Sequence, residues 1–292
     1  MQSNRPSSAG RTASSASNVS ERAHVGPITV VDVSLAGHRQ SIQLRSYRCA
    51  FHQIRVPIVL YFHGGMFIEG NLDDADDAAM TIARQTPAWV VSVGYSLAPA
   101  FPFPAALEDG YLALAWAVAN AGVFKADARH IGVAGHDAGG NLATCLAAMA
   151  RDRGDFKISA QALLAPLLDP SMTRMAKPEL VVGGERVIRA CAQCYRAYLP
   201  QHAMQLHPYA APLESRRLAG LPPALIASAE NDLLHLEAEK YATALISAGV
   251  PTQATRHARA SHQALACHPQ ALKDVVGFFR KWLSDEHVLM PG

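Results

Sequence analysis

Charge is scarce in this chain. Asp, Glu, Lys and Arg make up 17% of its 292 residues, against about a quarter in an ordinary soluble protein. The formal net charge is only +2 and no run of five Lys or Arg occurs, so there is no electrostatic ground for nucleic-acid binding. Long apolar runs are missing too. None reaches the roughly 18 residues that a membrane span requires. The five cysteines, Cys49, Cys145, Cys191, Cys194 and Cys267, are too few and too scattered for a disulfide scaffold. Cys191 and Cys194 have C-x-x-C spacing, but without a second pair a structural role is expected rather than zinc or thioredoxin-like chemistry. The H-E-x-x-H zinc motif and the Rossmann and P-loop glycine signatures are absent, so neither metal nor cofactor is expected. Asp73, Asp74, Asp76 and Asp77 are read as the acidic opening of a helix, where the dipole favours them.

The first 24 residues are Ser-rich, with Arg5, Arg11 and Arg22 and a single acid, Glu21. They lack the apolar stretch of a secretory signal. The expectation is a flexible tail and a cytoplasmic protein, although an organelle-targeting segment would share this composition.

What is present is apolar: half of the residues are hydrophobic. A chain of this size buries a large core without disulfide or metal staples. Residues 29–33 and 41–44 alternate with the period of half-exposed strands. Ile58–Phe62, Trp89–Val93, Ile131–Ala134, Ala162–Leu164 and Ala224–Ala227 are short, nearly continuous apolar runs, which suit parallel strands covered on both faces. Between them lie Ala- and Leu-rich stretches of helical length at about 74–85, 104–121, 138–151, 235–248 and 269–284. This alternation predicts an α/β fold, a mostly parallel sheet with helices on both faces. Residues 171–200 break the rhythm with a Pro/Gly-containing link and a predicted helix from Glu185 to Tyr198. The expected organisation is one domain over 25–292, with a small cap from about 25–55 and 171–208.

Three places match the needs of covalent hydrolysis. Gly135-His136-Asp137-Ala138-Gly139 follows an apolar strand and precedes an Ala-rich helix, the setting of a sharp turn that raises its central side chain above the sheet. His63-Gly64-Gly65-Met66 follows the strand ending at Phe62, where glycines let backbone N–H groups face a developing oxyanion. Asp232 and His262 each follow a later predicted strand, giving the chain order nucleophile, acid, histidine of α/β-hydrolases. The catalytic candidates are therefore Asp137, Asp232 and His262. Gly64, Gly65 and Ala138 are the candidate oxyanion donors.

Several further stretches stand in a consistent order: Leu60 to Gly65, Tyr95-Ser96-Leu97-Ala98-Pro99, Phe101 to Asp109, Gly135 to Leu142, Leu221 to Asp232 and Ala248-Gly249-Val250-Pro251. Over roughly residues 56–284 the chain resembles the hormone-sensitive-lipase-like branch of the α/β-hydrolases. The resemblance implies an eight-stranded sheet, a helical cap and esterase activity on small acyl esters. The departures are specific. Asp137 stands where the family's G-D-S-A-G-G has its serine, Met66 replaces the third glycine of H-G-G-G, and Ser96 and Ala100 replace an arginine and a glutamate. Gly-His-Asp instead resembles the elbow of epoxide hydrolases and haloalkane dehalogenases, whose aspartate is the nucleophile.

Three outcomes remain open from these residues. Asp137 displaces a leaving group at a saturated carbon, giving an alkyl ester that water cleaves. Asp137 or His262 acts as general base for direct water attack on an ester or lactone. Or catalysis is lost and a ligand-binding pocket remains. His63, Tyr195 and Tyr198 are candidates for contacting a small, mostly apolar substrate. The two tyrosines share one face of the predicted cap helix, where epoxide opening would need an acid.

Overall fold

The apolar runs become the interior strands of an eight-stranded sheet, ordered β1-β2-β4-β3-β5-β6-β7-β8. These strands are β1 (Ile28–Ala36), β2 (Ser41–Cys49), β3 (Val56–Phe62), β4 (Trp89–Gly94), β5 (Ala126–His136), β6 (Ala160–Leu164), β7 (Ala224–Asn231) and β8 (Thr252–Ser261). The computed structural model describes residues 27–50 and 55–284; the predicted N-terminal tail lies outside them. Strands β3 to β8 run parallel to one another. Strand β2 pairs antiparallel with both β1 and β4.

The continuous apolar runs follow from two covered faces. Along β3, Ile58, Leu60 and Phe62 join one core layer while Val59 and Tyr61 join the other. Helices α2 (Ala105–Asn120), α3 (Ala138–Arg153) and α5 (His235–Ser247) supply Leu114, Leu142 and Leu245 to the first layer. Helices α1 (Asp76–Gln85) and α6 (Pro269–Trp282) supply Ile82 and Phe279 to the second. Asp73 and Asp74 sit in the short turn before α1, and Asp76 and Asp77 in its first turn. Among the described residues no group of three His, Cys, Asp or Glu is placed to hold a metal, and no helix is long and apolar enough to cross a membrane.

One expectation needs correcting. Residues 28–49, assigned a share of the cap, form β1 and β2 and extend the sheet instead. Their alternation marks an exposed edge: β2 buries Ile42 and Leu44 while Ser41 and Gln43 face outward. The interruption at 171–200 contains α4 (Gly184–Tyr198), which stands outside the sheet order. It packs on the loop after β3, where the Tyr198 ring stacks on Phe67 at 3.9 Å. Cys191 and Cys194 are both buried on α4, and the Cys194 thiol donates to the Cys191 carbonyl at 3.0 Å.

Candidate active site

Asp137 sits at the hinge between β5 and α3 with φ 56° and ψ −120°. A non-glycine residue there carries about 1–3 kcal/mol of backbone strain. The surroundings hold it in place. Its amide donates to the Leu164 carbonyl at 2.9 Å, and its own carbonyl accepts from Gly140 at 3.0 Å and Leu167 at 3.2 Å. Gly139 has to be glycine, because a Cβ there would lie 2.1 Å from the Phe62 carbonyl oxygen.

The turn after β3 bends back toward this hinge. Gly65, Met66 and Phe67 all have positive φ, at 117°, 52° and 66°, which aims successive amides to one side. The Gly65 and Met66 amides donate to Asp137 Oδ2 at 2.9 and 2.7 Å. Two backbone donors thus converge on one point, the place expected for an oxyanion hole, and the second carboxylate oxygen of Asp137 occupies it. Of the expected donors, Gly65 is in place, while Gly64 and Ala138 make no hydrogen bond to the carboxylate among the described residues. Met66, at the position where the family's third glycine would stand, is the other donor: its amide can serve as that glycine's would as long as the backbone geometry survives a side chain. Its side chain did not prevent the backbone from adopting the left-handed conformation.

Asp232 follows β7, and His262 follows β8 directly. The His262 Nδ1–H donates to Asp232 Oδ2 at 2.9 Å, and the Leu234 amide binds Asp232 Oδ1 at 3.0 Å. On the other side of the ring, His262 Nε2 lies 3.4 Å from Asp137 Oδ1. This is an ion pair rather than a formed hydrogen bond, and neither atom has another hydrogen-bond partner among the described residues. The three predicted residues therefore converge, with the imidazole bracketed by two buried carboxylates.

The charges follow from that bracket. Burial alone would depress the His262 imidazole, but attraction to Asp232 and to Asp137 outweighs it and raises the pKa to about 10. Burial would raise the Asp137 carboxyl; its contacts with His262, the nearby His136 and the Met66 amide instead hold it well below the usual carboxylate range. At neutral pH the site is an aspartate–imidazolium pair.

His136, the last residue of β5, is a residue whose part was not anticipated. Its Nε2 lies 2.9 Å from the His262 carbonyl oxygen, and its ring centre is 5.0 Å from that of His262. Burial, then repulsion from His262, lowers its pKa to about 4. Its position directly before Asp137 was the only available signal. A cavity of about 470 Å³ borders the site, and Gly64, Gly65, Glu69, Asp74, His136 and Gln263 are among its walls.

The remaining candidates make no hydrogen bond to Asp137 among the described residues. His63 is buried, stacks on Tyr95 at 4.3 Å and donates through Nδ1 to the Gly64 carbonyl at 2.6 Å. Tyr195 and Tyr198 are buried on α4, and their hydroxyls have no hydrogen-bond partner among the described residues. Ser96 does not form an ion pair; its amide donates to Asp109 at 2.9 Å and its hydroxyl accepts from Gln40 at 3.0 Å.

Comparison with known proteins agrees with this geometry. Residues 59–266 match a family described by the alpha/beta hydrolase fold. Esterase LipI of Mycobacterium tuberculosis is 38% identical over 234 residues, covering 77% of this chain and 72% of that protein. Carboxylesterase NlhH of the same organism is 36% identical, covering 73% of this chain and 67% of the relative. Among solved structures, a hyperthermophilic esterase from Pyrobaculum calidifontis superposes with a TM-score of 0.81 at 35% identity, covering 87% of this chain and 85% of its own. With a family match over most of its length and relatives of this identity and coverage, the chain belongs to the hormone-sensitive-lipase-like branch of the α/β-hydrolase fold and is a hydrolase.

Proposed function

We propose that the chain hydrolyses a small, mostly apolar alkyl electrophile, such as an epoxide or a strained lactone opened at its saturated carbon, through a covalent ester on Asp137. The observation that carries this reading is the Asp137 carboxylate lying in the oxyanion hole, with Oδ2 held by Gly65 and Met66. In the first step Oδ1 forms a bond to the substrate carbon and the leaving oxygen departs with the electron pair, as a carboxylate from a lactone or, from an epoxide, as an alkoxide that takes a proton from water. The resulting ester already has its carbonyl oxygen, Oδ2, between two N–H donors. Water then adds to the carboxyl carbon and the hole takes up the developing negative charge. Collapse expels the alcohol bearing Oδ1 and regenerates the carboxylate. Helix α4, with its flanks over 171–208, serves as the cap.

The esterase names of the relatives favour a second reading, direct water attack on an ester carbonyl. Two features of the site weigh against it. The substrate's carbonyl oxygen would need the hole that Oδ2 occupies, and His262 as an imidazolium has no lone pair to act as base. A carboxylate attacking the carbonyl itself would give an anhydride that collapses back, since alkoxide leaves far less readily than carboxylate.

A single turnover in ¹⁸O-water separates these routes. With 1,2-epoxyhexane or β-butyrolactone in less than stoichiometric amount, the proposal expects label in the Asp137 peptide and none in the product. Label in the product acid with an unlabelled Asp137 would establish direct water attack. Tight binding of epoxide, lactone and ester without turnover would leave a ligand-binding protein.

A further inference from the structure

The second half of this reaction needs a base to deprotonate the water and an acid to protonate the departing oxygen. We infer that His136 is the base for the attacking water and that His262 is the acid for Oδ1 of Asp137. The inference rests on the proposed nucleophilic role of Asp137 and adds a residue that the nucleophile–acid–histidine pattern does not include.

Three geometric facts point to His136. First, a carbonyl oxygen only accepts hydrogen bonds, so the 2.9 Å contact with the His262 carbonyl puts the ring proton on Nε2. Nδ1 is left with a lone pair. Second, that lone pair and the Asp137 carboxylate border one gap. A Cβ built on Gly64 would lie 2.7 Å from His136 Nδ1 and 3.5 Å from Asp137 Oδ2. With only a hydrogen on Gly64, nothing from that residue fills the gap. Third, His136, Gly64 and Gly65 also wall the cavity of about 470 Å³, which brings water to the His136 side of the turn.

His262 is badly placed for the same task. Its Nε2 faces Oδ1 at 3.4 Å, the atom that leaves with the alkyl group; once esterification removes the Asp137 charge, Asp232, 2.9 Å from Nδ1, is the group that keeps on this ring the proton that Oδ1 needs. The groups facing His136 keep the two rings in opposite states. They are Asp137 and Asp232, the His262 imidazolium, and Glu69 and Asp74 across the cavity. Burial and the neighbouring cation outweigh the acids at His136, whereas the two carboxylates win at His262. Neighbouring groups whose environments push their pKa values apart are how one site supplies acid and base together.

The step balances. His136 Nδ1 takes a proton from water while the hydroxide oxygen bonds to the carboxyl carbon, and an electron pair moves onto Oδ2. The pair returns, the bond between the carboxyl carbon and Oδ1 breaks, and the His262 proton goes to the alkoxide. The remaining proton of the added water leaves the new Asp137 carboxyl for His262, which restores the carboxylate and the imidazolium, and solvent takes the proton from His136.

The test follows the Asp137 adduct of 1,2-epoxyhexane by peptide mass spectrometry in wild type, His136→Ala and His136→Asn. Asn keeps an N–H toward the His262 carbonyl but has no basic nitrogen. Both variants are expected to form the adduct, which reports a folded site, and to break it down at least 100-fold more slowly, the lower end of general-base contributions. In wild type, breakdown stays level across neutral pH and declines as pH falls toward about 4, the value for His136. Adduct breakdown at the wild-type rate in both variants overturns the inference. So does stalling in Ala with full speed in Asn, since that would make His136 a positioning residue for His262. Absence of any adduct in all three proteins refutes the nucleophile reading itself, and the inference with it.

Discussion

Replacing Asp137 by serine tests the occupied hole most directly. The substitution removes Oδ2 from the Gly65 and Met66 amides, which it meets at 2.9 and 2.7 Å, and frees both donors for a substrate carbonyl. Each such donor contributes about 10²–10³ in kcat. It also removes one of the two carboxylates holding His262 at a pKa of about 10. At pH 7 the imidazolium then dominates, and with Asp232 alone a larger fraction of the ring is neutral. Serine is smaller than aspartate, so no overpacking opposes the change. The obstacles are His136 beside the nucleophile and the strain at Met66, so a partial gain is expected: at least 100-fold in kcat/KM on p-nitrophenyl butyrate over the parent. Asp137→Ala is the control, because it empties the hole without supplying a hydroxyl. A serine variant that melts like the parent yet hydrolyses the ester no faster than the alanine variant refutes the reasoning.

Gly139→Ala forces a Cβ to within 2.1 Å of the Phe62 carbonyl oxygen, and urea denaturation should report a loss of about 3 kcal/mol or an unfolded product. Phe67→Ala removes the ring stacked 3.9 Å from Tyr198; truncation of a buried Phe costs about 3–5 kcal/mol, and an unchanged denaturation midpoint would mean that α4 is not anchored there. Stability should also fall at alkaline pH. His262 titrates near 6.5 when unfolded and near 10 when folded, so its contribution is complete below the first value and lost as pH rises through the second. Asp232→Asn should flatten that alkaline fall in melting temperature. His136 has the opposite sign: its folded value of about 4 lies below 6.5, so its contribution is lost as pH falls between the two, and His136→Asn should remove that acid-side loss.

Most of the fold was legible because the signals are local. The two-sided strands read as unbroken apolar runs, and each predicted helix boundary falls within two residues of α1 through α6. The error at 28–49 arose from the opposite feature. An edge pair with one exposed face looks polar, and nothing in Ser41–Cys49 states that its partner is β4, over forty residues downstream. The convergence of Asp137, Asp232 and His262 was readable from chain order, since each follows a strand that delivers it to the same edge of the sheet. Individual amide directions were not. Whether Gly64 or Met66 meets the carboxylate depends on a succession of positive φ values, and a methionine gives no warning of adopting one. The two histidine pKa values are similarly hidden, because they depend on distances of a few ångströms between residues more than a hundred positions apart.

Under the proposed mechanism, an aspartate where the family has its serine accounts for why one framework would serve a different reaction. A serine places one oxygen at the attacking position and leaves the hole empty for the substrate. A carboxylate places Oδ1 at the attacking position and Oδ2 in the hole at the same time. Under the proposed mechanism the hole contributes nothing specific to the first bond formed and becomes important only when water adds to the ester. The histidine after β8 changes with it. Facing a neutral hydroxyl it would be a base, whereas between Asp137 and Asp232 the proposed mechanism uses it as an acid. Under that reading a base must come from elsewhere, and His136, whose Nδ1 borders the same gap at Gly64 as the Asp137 carboxylate, stands at the position where the related elbow has an aspartate.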